Sequence, residues 1–185
     1  MSAYSLPKSA EIGGAEYAIR SDYRAALDIM EVMADPTVAD EERAFVALSI
    51  FYPDFYEMPP QHMQEALDYL MWFVGGGEKP RRKGKKPKLM DWRQDFQLIV
   101  GPVNKVVGCE VRDLEYMHWW TFLAAYREIG DCMFAQVVGI RSKKAKGQKL
   151  DKQDREFYRA NRELVDFERP EMTEMERAAL DDWIT

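Results

Sequence analysis

At 185 residues, 46 % of them hydrophobic and 31 % charged, the chain can form one full hydrophobic core or two small lobes, and its composition is that of a soluble globular protein. No apolar run approaches the roughly 18 to 20 residues of a membrane span, and the start, Met1-Ser-Ala-Tyr-Ser-Leu-Pro-Lys8, lacks the basic-then-apolar layout of a secretory signal, so a cytoplasmic protein is expected. The net charge of −6 conceals a division: positions 79–88 hold seven basic residues in ten, which leaves the rest of the chain at −13.

Residues 10–20 read as a small β-hairpin. Gly13-Gly14 supplies the positive φ angles of a two-residue turn, and Ile12, Tyr17 and Ile19 are the apolar strand positions. Such a hairpin is marginal alone and must pack on helices. Ser21 or Asp22 then caps a helix to about Ala34, whose stripe is Tyr23, Ala26, Leu27, Met30 and Met33. Asp35-Pro36 ends it, because a residue before proline avoids the α region. A second helix, capped by Asp40, reaches Phe51 with Phe45, Val46 and Leu48 facing inward.

A turn-rich connector over 52–60 leads to a third helix, from Pro60 or Gln61 to Val74, with the stripe Met63, Ala66, Leu67, Leu70, Met71 and Val74. Glycine, proline and like charges over 76–90 predict a basic flexible linker. It would join an N-terminal hairpin-plus-helix lobe (1–75) to a C-terminal helical lobe (91–185). In that second lobe Asp91 begins a fourth helix that carries Trp92, Phe96, Ile99 and Val103, with Pro102 able to kink it and Gly108 ending it. Helices over 132–145 and 150–165 follow, the latter capped by Asp151. A short tail helix is capped by Thr173, with Glu176 completing a capping box. The fold class expected is mainly α: about six to seven helices with a small N-terminal hairpin.

The most distinctive stretch is 113–129. Read as one helix, its apolar positions 114, 116, 117, 119, 120, 122–126 and 129 leave almost no polar face. Adjacent helical residues point about 100° apart, so Trp119 and Trp120 cannot fill one pocket. One belongs in the core, and the other needs a second surface over it.

Catalytic patterns are missing. There is no Gly-rich phosphate loop, no GxSxG and no HExxH. Cys109, Cys132, His62 and His118 are scattered without a local pair to seed zinc binding, so two buried thiols, an exposed His62 and a hydrogen-bonded core or interface His118 are expected. Glu115 and His118 would share a helix face as one Glu-x-x-His, but di-iron bundles need that motif twice. No enzyme, cofactor or metal is expected. The 79–88 tract could release counterions from phosphates, yet it has no interleaved aromatics to stack bases and sits in a chain of pI about 5.1. A solvated linker, or a cationic tether steering toward an acidic partner, is favoured over a nucleic-acid-binding regulator.

Three blocks bear a family likeness. They are Asp91-Trp-Arg-Gln-Asp-Phe96 with Ile99, the run from Gly108 through Leu114-Glu-Tyr-Met-His-Trp-Trp-Thr-Phe122, and Gly130-Asp-Cys-Met-Phe134 with Ile140-Arg141. Together they resemble the bacteriophage gene-product-fifteen family of long-tailed phages and prophages of Gram-positive bacteria. Met117 stands where that pattern has leucine, and Thr121 where it has lysine. The likeness is firmest over 91–141 and looser before residue 78.

It implies a tail assembly chaperone of the host cytoplasm that coats the tape measure protein and helps recruit tail tube subunits, and it brings no catalytic residue with it. Tyr116, Trp119, Trp120, Phe122 and Tyr126 are the candidate partner-binding residues, as large contact area at low rotamer cost. The eleven methionines suit a varied client, and self-association is open. The alternatives are a structural tail or connector component retained in the virion and the regulator acting through 79–88.

Overall fold

A computed structural model describes residues 5–78 and 87–168. The basic tract from 79 to 86 and the expected tail helix lie outside the described residues. Within them the chain is mainly helical, with one two-stranded antiparallel sheet. It divides into two compact units, Met1–Gln136 and Val137–Thr185. The division does not fall at the basic tract: the helices on either side of that tract belong to the first unit, where the fourth and fifth helices both pack on the first.

Strands β1 (Ser9–Ile12) and β2 (Ala15–Ala18) pair with Ile12 opposite Ala15. Gly13 and Gly14 turn the chain at φ 57° and 79°. The hairpin is held by the helix α3 (Met63–Val74) and the 3-10 turn that enters it, Pro60–His62. Glu65 accepts the Gly13 amide at 2.9 Å, and the Tyr69 hydroxyl donates to the Ser9 carbonyl at 2.8 Å. A side chain at Gly13 would meet the His62 ring at 2.2 Å, so this turn needs glycine for space as well as for φ. His62 is half-buried rather than exposed, because its Nδ1 shares a 2.9 Å hydrogen bond with Tyr17.

Asp22 caps α1 (Tyr23–Ala34), accepting the Arg24 amide at 3.0 Å. The buried face of α1 is Tyr23, Ala26 and Ile29. Helix α2 (Asp40–Phe51) begins after Ala39, so Asp40 stands in its first turn and is not the cap. Its buried face is Ala47, Leu48 and Phe51, and this turns Phe45 outward at 51 % exposure, against the inward position expected. Arg20 gathers the carbonyls of Ser49 and Ile50 at the end of α2, groups that have no partner inside the helix.

Helix α4 (Trp92–Val107) runs between its expected signals, from the Asp91 cap to Gly108 at φ 84°. Asp95 is fully buried and reaches back to the Asp91 amide at 2.8 Å. Asn104 spans the turn after α4, accepting from the Val111 amide and donating to Glu110. Below Val111–Asp113, a short 3-10 turn, comes the main departure from expectation. Residues 114–118 are not helical, with Leu114 and His118 extended and a bend at Glu115, and α5 covers only Trp119–Arg127. The nearly all-apolar helix over 113–129 does not exist, so Glu115 and His118 share no helix face.

Helix α6 (Met133–Ala145) contains the boundary between the units. In the second unit the expected single helix over 150–165 is two: α7 (Lys152–Ala160) and α8 (Arg162–Val165), broken at Asn161. Asp151 caps α7 in a reciprocal box with Asp154. Arg141 is buried and caps α8, its guanidinium donating to the Leu164 and Val165 carbonyls at 2.8 Å each, with Phe167 over its plane at 4.1 Å. Two carbonyls side by side suit the fork of an arginine.

Candidate functional site

The His-Trp-Trp block and the start of α1 build one site. Residues 117–119 run antiparallel to 21–23, where Asp22 and His118 form an isolated bridge. The Tyr23 amide donates to the Met117 carbonyl at 2.9 Å and the Trp119 amide to the Ser21 carbonyl at 2.8 Å. Asp22, besides capping α1, accepts the Met117 amide at 2.9 Å. Arg24 collects the Arg112 and Leu114 carbonyls at 3.0 and 2.7 Å. With its backbone groups satisfied from so far along the chain, the segment has no need of a helix.

His118 ends the non-helical run and caps α5. Its Nδ1 accepts the Trp120 amide at 3.0 Å, which requires that nitrogen to be unprotonated. The neutral ring therefore carries its proton on Nε2 and donates it to the Pro7 carbonyl at 3.0 Å. Burial lowers the pKa of this ring, the Pro7 carbonyl opposes that shift, and the charge of Lys8 adds to it. Both ring nitrogens are thus committed to the fold. Among the described residues, no group of three or more His, Cys, Asp and Glu side chains could hold a metal ion.

Each tryptophan of the pair donates to the end of α3. The Trp119 indole reaches the Val74 carbonyl at 2.9 Å and the Trp120 indole the Phe73 carbonyl at 2.8 Å. The two indoles act as a side-chain cap for the last carbonyls of the helix, the Phe73 one being shared with the Gly76 amide. Glycines after α3 leave room for α5: at Gly77, with φ 81°, a Cβ would lie 2.8 Å from the Trp120 ring, and at Gly76, with φ 75°, 2.8 Å from Leu123. This close packing falls on the first residues of the stretch expected to be a flexible linker.

The five candidate residues separate by exposure. Trp119 and Phe122 are fully buried, Phe122 stacked on Tyr23 with centroids 4.6 Å apart and planes at 4°. They belong to the core and offer no open surface to a partner. Trp120 is half-buried, and the second surface over it comes from its own unit, with Trp72 at 5.2 Å and Phe73 at 5.9 Å. Tyr126, also half-buried, points its hydroxyl at the Met90 sulfur at 3.1 Å and lies 5.0 Å from Trp92. Tyr116 alone of the five is open, at 46 % exposure, with its hydroxyl 2.8 Å from Ser21 and Lys8 5.5 Å above its ring.

Tyr116 forms one wall of a shallow open groove of about 640 Å³. The groove is also lined by Ile19, Ser21, Ala25 and Asp28 around the start of α1 and by Ser49 and Ile50 of α2. Burial raises the pKa of Asp28 there. Leu6, Phe45, Tyr56, Met71, Val106 and Met133 are also open among the large apolar residues. Of these, Phe45 and Tyr56 were missed as candidate surface. The signal was present in the aromatic-rich connector over 52–60, but reading it as a turn gave no side to its rings.

The fold and the site define a mainly helical protein in which an N-terminal hairpin, a capped first helix and an aromatic His-Trp-Trp block are tied together. The chain belongs to the family described as Bacteriophage Gp15 protein, whose model matches residues 3–167. The match spans the hairpin, the α1 junction, the aromatic block and the buried Arg141. No curated protein and no solved structure matches the chain.

Proposed function

We propose that this phage protein is a non-enzymatic tail assembly chaperone of the host cytoplasm. It covers apolar helical segments of the tape measure protein and helps recruit tail tube subunits. The observation that carries this reading is the contrast between a closed interior and an open aromatic and methionine surface. Among the described residues, no buried side-chain nitrogen or oxygen lacks a hydrogen-bond partner, while Tyr116, Phe45, Tyr56, Met71 and Met133 stand open. A client that exposes apolar helical stripes before the tube encloses it calls for such a surface, engaged reversibly. Tyrosine and methionine suit the task, since the one gives area at low rotamer cost and the other adapts its shape.

On this reading Tyr116 and the exposed part of Trp120 contact the client, Trp119 and Phe122 hold the framework behind them, and Tyr126 braces α5 against α4. The described residues contain no helix long and apolar enough to cross a membrane. A chaperone leaves the finished tail. Mass spectrometry of purified virions should therefore find the protein absent or far below tube-subunit abundance. Retention at a fixed structural copy number would assign it instead to the tail or connector.

A further inference from the structure

We propose that Phe45 and Tyr56, rimmed by Glu41, Glu42, Asp54 and Glu57, form a docking surface for a basic amphipathic segment of a partner protein. This surface is separate from the Tyr116 groove, and the inference stands whether or not the client is a tape measure protein. Tyr56 lies in the 3-10 turn Phe55–Glu57 and is 82 % exposed, and Phe45 on α2 is 51 % exposed. Their ring centroids are 6.3 Å apart, and both rest on the buried Phe55, at 4.9 and 5.3 Å. The contacts are edge to face, at interplanar angles from 66° to 82°, and both outer rings keep open surface beside them. Isolated exposed apolar residues are ordinary, but two adjoining aromatics on a shared buried anchor make a contiguous patch.

The rim fixes the chemistry of the occupant. Glu41 and Glu42 precede Phe45 by four and three helical positions and so stand on its face of α2; Asp54 and Glu57 flank Tyr56, and all four are exposed. The cation nearest in sequence, Arg43, is turned to the Asp35 carbonyl and the Asp40 carboxylate. An arriving lysine or arginine would gain a ring face within about 6 Å and a carboxylate beside it. An aliphatic neighbour on the same segment would cover the ring edges. Of the chain's own basic stretches, that over 79–88 has no aliphatic side chain, and in that over 141–149 Lys143 and Lys144 are already paired with Asp154 and Asp166, which favours a different protein over a second copy.

The test uses the full chain and a fluorescein-labelled peptide of about 20 residues with leucine and lysine at helical spacing. Two control peptides replace lysine by glutamate or leucine by serine. Anisotropy titrations should give saturable binding of the first peptide alone, weakened by rising salt. Tyr56→Ser, and separately Glu42→Lys with Glu57→Lys, should each weaken it by at least about tenfold. The charge reversal leaves the aromatic packing intact, so it answers even if Tyr56→Ser disturbs the turn. Equal affinity for the variants, equal affinity for either control peptide, or no binding overturns the proposal. Sedimentation velocity should show the same species for the parent chain and Tyr56→Ser. Self-association abolished by Tyr56→Ser would overturn it by giving the patch to a second copy.

Discussion

The indole of Trp120 donates to the Phe73 carbonyl at 2.8 Å, one position before the Val74 carbonyl that Trp119 holds at 2.9 Å. Two neighbouring side chains thus close two neighbouring carbonyls at the end of α3, nearly fifty residues upstream. Trp120→Phe removes the donor and trims a ring that is only half-buried. It should cost about 1 kcal/mol, the usual net worth of one hydrogen bond. Trp119→Phe also opens space in a fully closed site and should cost about 2 to 3 kcal/mol. Urea unfolding followed by circular dichroism measures both, and the expected order is Trp119 above Trp120.

Two glycines in the left-handed region separate conformation from contact. Gly147, at φ 66°, has open space where a Cβ would go, so Gly147→Ala carries only the backbone cost of about 1 to 2 kcal/mol. Gly77, at φ 81°, adds a 2.8 Å clash with the Trp120 ring. Gly77→Ala should cost more than Gly147→Ala, and it should also shift the Trp120 fluorescence. Equal losses would mean that the glycine turn does not seat the indole.

His118 makes stability depend on pH. Its folded pKa lies below the ordinary value of 6.5, chiefly through burial, with Lys8 acting in the same direction. In the interval between the folded pKa and 6.5 the unfolded chain binds more protons than the folded one. The stabilisation is therefore fully present above pH 6.5 and is lost as pH falls through the lower folded value. Protonation would also put a hydrogen on the Nδ1 that accepts the Trp120 amide, undoing the cap of α5. Unfolding midpoints between pH 7.5 and pH 5 should drop for the parent chain. They should change less for His118→Asn, since asparagine still caps but does not titrate.

Much of the framework was legible locally. The hairpin announced itself through Gly13-Gly14, α4 through Asp91 and Gly108, and α7 through Asp151, because each signal acts on backbone groups within a few residues. The non-helical run over 114–118 was not legible. Its leucine, tyrosine and methionine fit a helical stripe, and the groups that hold it out of a helix are Ser21, Asp22 and Tyr23, some 95 residues away in the hydrogen-bonded pairs. The exposure of Phe45 was hidden for a similar reason. Ala47, Leu48 and Phe51 form an equally regular stripe, and only the packing of α2 on α1 and α3 decides between the two faces. For the candidate site, sequence located the aromatic block, but could not single out Tyr116 as its open member or tell an indole that caps a helix from one that awaits a partner.

Arg141 offers a test confined to the second unit. Arg141→Lys keeps a charge but cannot hold the Leu164 and Val165 carbonyls in the same fork. Arg141→Ala leaves both without it and should cost about 2 to 3 kcal/mol, as for hydrogen bonds to a charged donor. Hydrogen exchange should show faster exchange in α8 for both variants, alanine more than lysine, with β1 and β2 unchanged.

The chaperone account is tested most directly by co-expressing the chain with the tape measure protein of its own phage and measuring how much of the latter is soluble and co-purifies. The account predicts a clear gain in soluble tape measure protein bound to this chain, reduced by Tyr116→Ser while that variant stays folded. A tape measure protein that is equally insoluble with and without the chain, and never co-purifies with it, would contradict the account.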